Sequence, residues 1–166
     1  DSLEYCQNKK INFFGVSAKY IDHLKNENYN SKNLDLSSIK IITSTGSPLA
    51  EESFKYVYEN IKQDAHLASI AGGTDLVGCL ILGNIYSNVY KGEIQGQSLG
   101  IEVDVFTDDG KSTSDNEKGE LVVKKPFPSM PVKFWGDNDG QKYHKAYFSR
   151  FENIWHHGDF IERTSN

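Results

Sequence analysis

Cysteine is scarce in this chain: Cys6 and Cys79 are the two in 166 residues, far apart and without a CxxC spacing. That excludes the disulfide framework of a small secreted domain and points to a reducing compartment, the cytosol or an organelle matrix, with the cytoplasm as the expected location. A basic cluster is also missing, because 18 Lys and Arg residues are scattered among 23 Asp and Glu residues for a formal charge of −5. Neither nucleic acid nor an anionic membrane surface is then a favoured partner, and a small-molecule ligand is expected instead. No run of about 18 apolar residues offers a membrane span, and Asp1-Ser2-Leu3-Glu4 lacks the charged-then-apolar order of a signal peptide. Neither a GxxxxGK[ST] phosphate loop nor a GxSxG nucleophile elbow occurs, which leaves Ser-His-Asp hydrolysis unsupported. An initiator Met is absent as well, and the chain reads as a piece of something longer.

What is present is enough for a core, since 37% of the residues are hydrophobic and 12% aromatic. The first half alternates strand and helix signals. Residues 11–16 read as a short buried strand, with Ser17 as the N-cap of a helix carrying Tyr20, Ile21 and Leu24 on one face. Residues 39–44 form a β-branched strand broken by Gly46. Pro48 then suits the first turn of a helix in which Phe54, Val57, Tyr58 and Ile61 recur at helical spacing. Residues 66–70 make a third strand. Three strands separated by two helices predict parallel crossover pairing. After Gly78 the pattern changes to short strands and glycine turns, such as Ile101–Phe106 and Glu120–Val123, which predicts antiparallel pairing. Asp109-Gly110 and the polar residues 111–118 predict a hairpin with a long, mobile tip, and residues 126–160 predict irregular structure ending in a strand near Trp155. The expected class is therefore α/β: a parallel βαβαβ portion over residues 1–88, then a smaller antiparallel, barrel-like portion over 89–166, both within one larger domain.

Three segments carry residues suited to nucleotide chemistry. In Ala71-Gly72-Gly73-Thr74-Asp75, two glycines permit close backbone approach, Thr74 offers a hydroxyl for a phosphate oxygen, and Asp75 offers a carboxylate for Mg²⁺, directly or through water. An equally open reading makes Thr74 or Asp75 the cap of a following helix. In Ser44-Thr45-Gly46-Ser47-Pro48-Leu49, small residues where a strand meets a helix let a flat ring approach the backbone, or else form a plain turn capped by Ser47. In Trp155-His156-His157-Gly158-Asp159-Phe160, Asp159 on a glycine-opened turn can accept two ribose hydroxyl protons, or be an ordinary turn aspartate. His156 and His157 are neighbours that face opposite ways on a strand and lack a third ligand at metal spacing, so zinc binding is not expected. Glu93 beside Lys91 reads as a solvated charge, and Cys79 beside Leu80 and Ile81 as packing.

The order of these segments, with Gly119-Glu120-Leu121 between the last two and Lys125-Pro126-Phe127-Pro128 upstream of Tyr147-Phe148-Ser149, resembles the adenylate-forming acyl-CoA synthetase superfamily over nearly the whole chain. Such enzymes join a carboxylate to AMP, release pyrophosphate and pass the acyl group to coenzyme A. The resemblance implies that ATP, Mg²⁺ and coenzyme A are involved and that Gly46, Ser47 and Pro48 line the adenine pocket. It further implies that Gly73 and Thr74 approach phosphate, that Asp75 takes the magnesium-handling acidic position, and that Asp159 binds ribose. Many relatives have Glu at the acidic position. They commonly have an aromatic where Ala71 stands, and acetate-specific members have a bulky ring where Gly72 stands. Gly72 would then deepen the acyl pocket for an acid longer than acetate, with acetoacetate the implied substrate and another short- or medium-chain acid the alternative. The phosphate-gripping loop and the catalytic lysine of such enzymes are expected outside this chain, so the piece alone is expected to be inactive. A nucleotide-binding or interaction module without turnover is the competing reading.

Overall fold

Ser17 both ends the first strand and starts the helix after it, because its hydroxyl accepts the Tyr20 amide at 3.1 Å. The computed structural model describes residues 2–166. The chain divides into two compact units, Asp1–Ala71 with Ile81–Gly96, and Gly72–Leu80 with Gln97–Asn166.

The first unit carries α1 (Ser2–Lys9), β1 (Phe13–Ser17), α2 (Ala18–Asn26), β2 (Ile41–Thr45), α3 (Glu51–Tyr56) and β3 (His66–Ser69). Its sheet has the order β1-β2-β3, and both pairings are parallel, as the alternation of strand and helix predicts. Ile42 and Ser44 project to one buried side of β2, while Phe13 on the edge strand β1 stays about half exposed. The core gathers Leu3, Ile21, Ile39, Ile42, Phe54 and Leu67 between sheet and helices. Pro48 lies three residues before α3 rather than in its first turn, and Ala50 takes the cap position without a side-chain bond. Glu51 and Glu52 face the helix's positive end, and α3 runs on into a π-helical turn, Val57–Ile61. That wider turn keeps Phe54, Val57 and Ile61 buried, and the amide and hydroxyl of Ser31 bond the freed carbonyls of Asn60 and Ile61. α2 and α3 are joined by a polar relay in which Lys25 donates to Ser53 Oγ at 2.9 Å and Ser53 donates to Asp22 at 2.6 Å.

The short strands β4 (Ala71–Gly73), β5 (Gly78–Leu82) and β6 (Gly96–Gln97) form a sheet in that order. The second unit adds β7 (Val103–Phe106), β8 (Lys118–Val123), α4 (Gln141–Tyr147) and β9 (Trp155–Glu162), with β7-β8-β9 antiparallel. The expected loose tip between β7 and β8 is instead fastened: Thr113 is buried, its amide bonds Val105 O at 2.9 Å, and the Asn116 amide bonds Arg163 O at 2.7 Å. Its anchor is the buried Asp104, which accepts from Ser112 at 2.7 Å and from the Val105 amide at 2.8 Å and pairs with Lys124 and Arg163. Burial alone would raise its carboxyl, but the Ser112, Val105 and Lys124 bonds outweigh it and hold the group below the usual aspartate value.

The segment expected to be irregular contains α4. Asp137 caps it from upstream, accepting the amides of Lys142 at 3.2 Å and Tyr143 at 2.9 Å, while Gly140 supplies the left-handed turn into the helix at φ +71°. Tyr143 and Tyr147, one helical turn apart, then meet Phe134 and Trp155.

Candidate functional site

Ala71, Gly72 and Gly73 lie in a strand, and the tight turn begins only at Thr74, with the Val77 amide on Thr74 O at 3.2 Å. A strand follows that turn, so neither Thr74 nor Asp75 caps a helix. Both side chains are exposed at the tip. Gly72 is glycine for a steric reason: a Cβ there would stand 2.1 Å from Gly78 O and 2.6 Å from Cys79 Cα, inside the backbone of β5. A Cβ on Gly73 would press on the His157 ring at 3.2 Å.

His157 belongs to the second feature of this unit, an irregularity in β9. Glu120 pairs with Phe160 and Val122 with His156, so His157, Gly158 and Asp159 stand opposite the single residue Leu121. The ladder cannot hold all three, and the strand bulges, with Gly158 at φ +91° where a side chain would be strained. Buried Glu120 secures the bulge by accepting the Gly158 amide at 2.5 Å, while its other oxygen takes Arg150 at 2.8 Å. Asp159 is thereby presented half exposed at the crest, its carboxylate 3.7 Å from His157 Nε2. His157 Nε2 also lies 3.2 Å from Gly72 O, and the Trp155 indole N–H points at Nδ1 from 3.4 Å. An imidazole protonated on Nε2 alone satisfies both contacts, donating to Gly72 O and accepting from Trp155. Within this unit the bulge and the Gly72–Asp75 segment are thus tied together through one histidine.

Asp75 has a further partner that the sequence reading missed: the Tyr147 hydroxyl donates to its Oδ2. Tyr147 lies flat on Trp155, with centroids 3.6 Å apart at 11°. Burial, with the Asp75 carboxylate beside it, pushes the Tyr147 hydroxyl up to about 12, so it acts as a donor throughout the ordinary pH range. Glu120 was visible only as part of a motif, and its hold on the bulge was not legible. Its partner Arg150 lies 30 residues away, and no local pattern announces such a pairing.

The strand-end loop of the first unit is separate and simpler. Gly46 follows β2 at φ +83° with no atom within 4 Å of a would-be Cβ, so conformation rather than crowding selects glycine. Ser47 and Pro48 line the exposed side of this loop, and buried Leu49 pins it to the core. The Ser44 hydroxyl just before it is fully buried and makes no hydrogen bond.

As donors, these residues suit a magnesium ion carried by a nucleotide. Mg²⁺ prefers hard oxygen ligands and is usually held by one or two carboxylates together with substrate phosphates rather than by an all-protein cage. Asp75 is one exposed carboxylate with an oxygen beyond the one Tyr147 engages, and no cluster of three or more His, Cys, Asp or Glu residues suited to a metal occurs among the described residues. No helix among the described residues is long and apolar enough to cross a membrane.

No protein-family model matches the chain. It is 54% identical over 163 residues to acetoacetyl-coenzyme A synthetase of Rhizobium meliloti, covering 98% of this chain and 25% of that protein. The Gallus gallus acetoacetyl-CoA synthetase is 44% identical over 153 residues, covering 92% of this chain and 23% of its own length. Among solved structures, acetoacetyl-CoA synthetase from Streptomyces lividans superposes with a TM-score of 0.88 at 35% identity, over 96% of this chain and 25% of that one. An anthranilate CoA ligase, AuaEII, in complex with anthranoyl-AMP, shares the fold at a TM-score of 0.75 and 17% identity, over 96% of this chain and 29% of that one. The chain spans about a quarter of the length of the curated relatives it matches. Extensive identity along nearly all of its residues, on the fold of a solved homologue, places this chain in the acetoacetyl-CoA synthetase family.

Proposed function

We propose that this chain forms part of an ATP-dependent acid–CoA ligase that activates acetoacetate as its adenylate and passes the acyl group to coenzyme A, in the cytoplasm. The observation that carries the reading is the histidine link in the second unit. It joins Gly72, in the strand that leads into the Thr74–Asp75 turn with its hydroxyl beside a carboxylate, to the bulge that raises Asp159. In this reading Asp159 accepts the ribose hydroxyls, Thr74 bonds a phosphate oxygen and Asp75 handles the metal. Gly46, Ser47 and Pro48 offer an open backbone ledge for adenine, with Gly73 allowing phosphate to approach. Mg²⁺, when bound with ATP, neutralises phosphate charge.

Adenylation is an attack by a carboxylate oxygen on the α-phosphorus. The carboxylate is already the nucleophile, so the residues need to position groups and balance charge rather than move a proton. Ala71 and Gly72 belong to the acyl side in this reading. A Gly72→Trp exchange is nevertheless a poor probe of acid size, because the first carbon of any side chain meets the β5 backbone. Acid choice is better read from substrates.

The test is acid-dependent exchange of pyrophosphate into ATP by the protein produced at the full length of its relatives. Exchange is expected to be faster with acetoacetate than with acetate or with a medium-chain acid. Exchange that is independent of any acid, or absent with all of them, would overturn the ligase reading. Preference for another acid would overturn the substrate assignment alone.

A further inference from the structure

The Thr74–Val77 turn exposes Asp75, and a carboxylate on such a turn has rotamer freedom that a metal ligand must give up on binding. Tyr147 removes part of that freedom in advance. Its hydroxyl donates to Asp75 Oδ2 across 72 residues of sequence, and its ring is held on three sides. Trp155 stacks on one face at 3.6 Å, while Phe134 and Tyr143 meet it edge-on at 5.9 Å each. The helix that carries it is fixed at its start by Asp137, and Tyr143 is itself anchored through its hydroxyl to Pro131 O at 2.5 Å. A rigid aromatic lever thus ends in one donor aimed at one carboxylate oxygen.

We propose that Tyr147 is a positioning residue for the metal-handling carboxylate: by occupying Oδ2 it presets the Asp75 side chain so that Oδ1 addresses a divalent cation carried by the nucleotide, directly or through one water. This rests on the role given to Asp75 under Proposed function. In this arrangement Tyr147 acts through Asp75, so its removal is expected to act on the metal-bearing nucleotide and not on metal-free ATP.

The experiment compares wild type with Tyr147→Phe, Asp75→Asn and the double variant in the full-length protein, using Mn²⁺ as a paramagnetic stand-in for Mg²⁺. Free Mn²⁺ is followed by electron paramagnetic resonance in the presence of ATP, and metal-free ATP binding is measured separately. Tyr147→Phe keeps the ring on Trp155 and removes one hydrogen bond to a charged group, which predicts Mn²⁺–ATP binding weaker by about five- to tenfold. Metal-free ATP affinity is expected to stay unchanged. In the Asp75→Asn background the same exchange is expected to add nothing. Unchanged Mn²⁺–ATP affinity in Tyr147→Phe, or an undiminished effect when Asp75 is already Asn, would overturn the proposal. If Asp75→Asn itself leaves Mn²⁺–ATP affinity unchanged, the metal role of Asp75 falls and this inference falls with it. An effect of Asp75→Asn without one of Tyr147→Phe removes the positioning role alone.

Discussion

Glycine at position 72 answers first to the backbone beside it. The strand pairing needs it because a Cβ would enter the carbonyl of Gly78. Gly72→Ala is therefore expected to lower unfolding stability by about 1–3 kcal/mol, as forced overpacking does, and a denaturant midpoint checks it. An unchanged midpoint would mean that β5 yields freely. The contiguous run Gly72-Gly73-Thr74-Asp75 was legible in the sequence because its chemistry sits in adjacent letters. Tyr147 and His157 were not, because their roles depend on Asp75 and Gly72 brought near from 72 and 85 residues away. Reading Tyr147 as one more aromatic in an irregular stretch was the natural outcome of a sequence without that contact.

Among the elements, the β9 bulge depends most on a single side chain. Glu120 is buried and bonds both the Gly158 amide and Arg150, so Glu120→Ala removes two bonds at once. Because Gly158 and Arg150 reach solvent, water replaces part of what is lost, and we expect a stability loss of about 1 kcal/mol with faster hydrogen exchange at the Gly158 amide. Exchange at Gly158 as slow as in wild type would show that the bulge stands without Glu120. The parallel strands were readable because β-branched runs alternate with helical spacing, and Ser17 announces its helix directly. α4 escaped notice because its packed face is only two tyrosines wide, Tyr143 and Tyr147, among polar residues and in a stretch already dense in aromatics, and because its cap, Asp137, lies several residues upstream. The hairpin tip was misjudged for a related reason: its polar letters suggest solvent, yet Asp104 of β7 and Arg163, just past the end of β9, bond them.

On the scale of the whole molecule, acid stability has an identifiable source. Asp104 is held below the ordinary aspartate value, so the unfolded chain takes up its proton before the folded chain does as pH falls. Its contribution is fully present above about pH 4, the unfolded value, and is lost as pH drops through the depressed native one. Denaturant midpoints measured downward from pH 5 should therefore fall less steeply in Asp104→Asn than in wild type, and parallel slopes would contradict the assignment. The succession of a parallel portion and an antiparallel one was readable from the change in turn spacing. The crossing of the chain between units at residues 71–72, 80–81 and 96–97 was not, because it follows from contacts and not from composition.

Calorimetric titration of Mg²⁺–ATP into the full-length protein addresses the nucleotide assignment most directly, with Thr74→Ala and Asp159→Ala compared against wild type. The account predicts that both substitutions weaken binding, Asp159→Ala by about tenfold or more because it removes charge-assisted bonds to two hydroxyls, and Thr74→Ala by less. Wild-type affinity in both variants would contradict it.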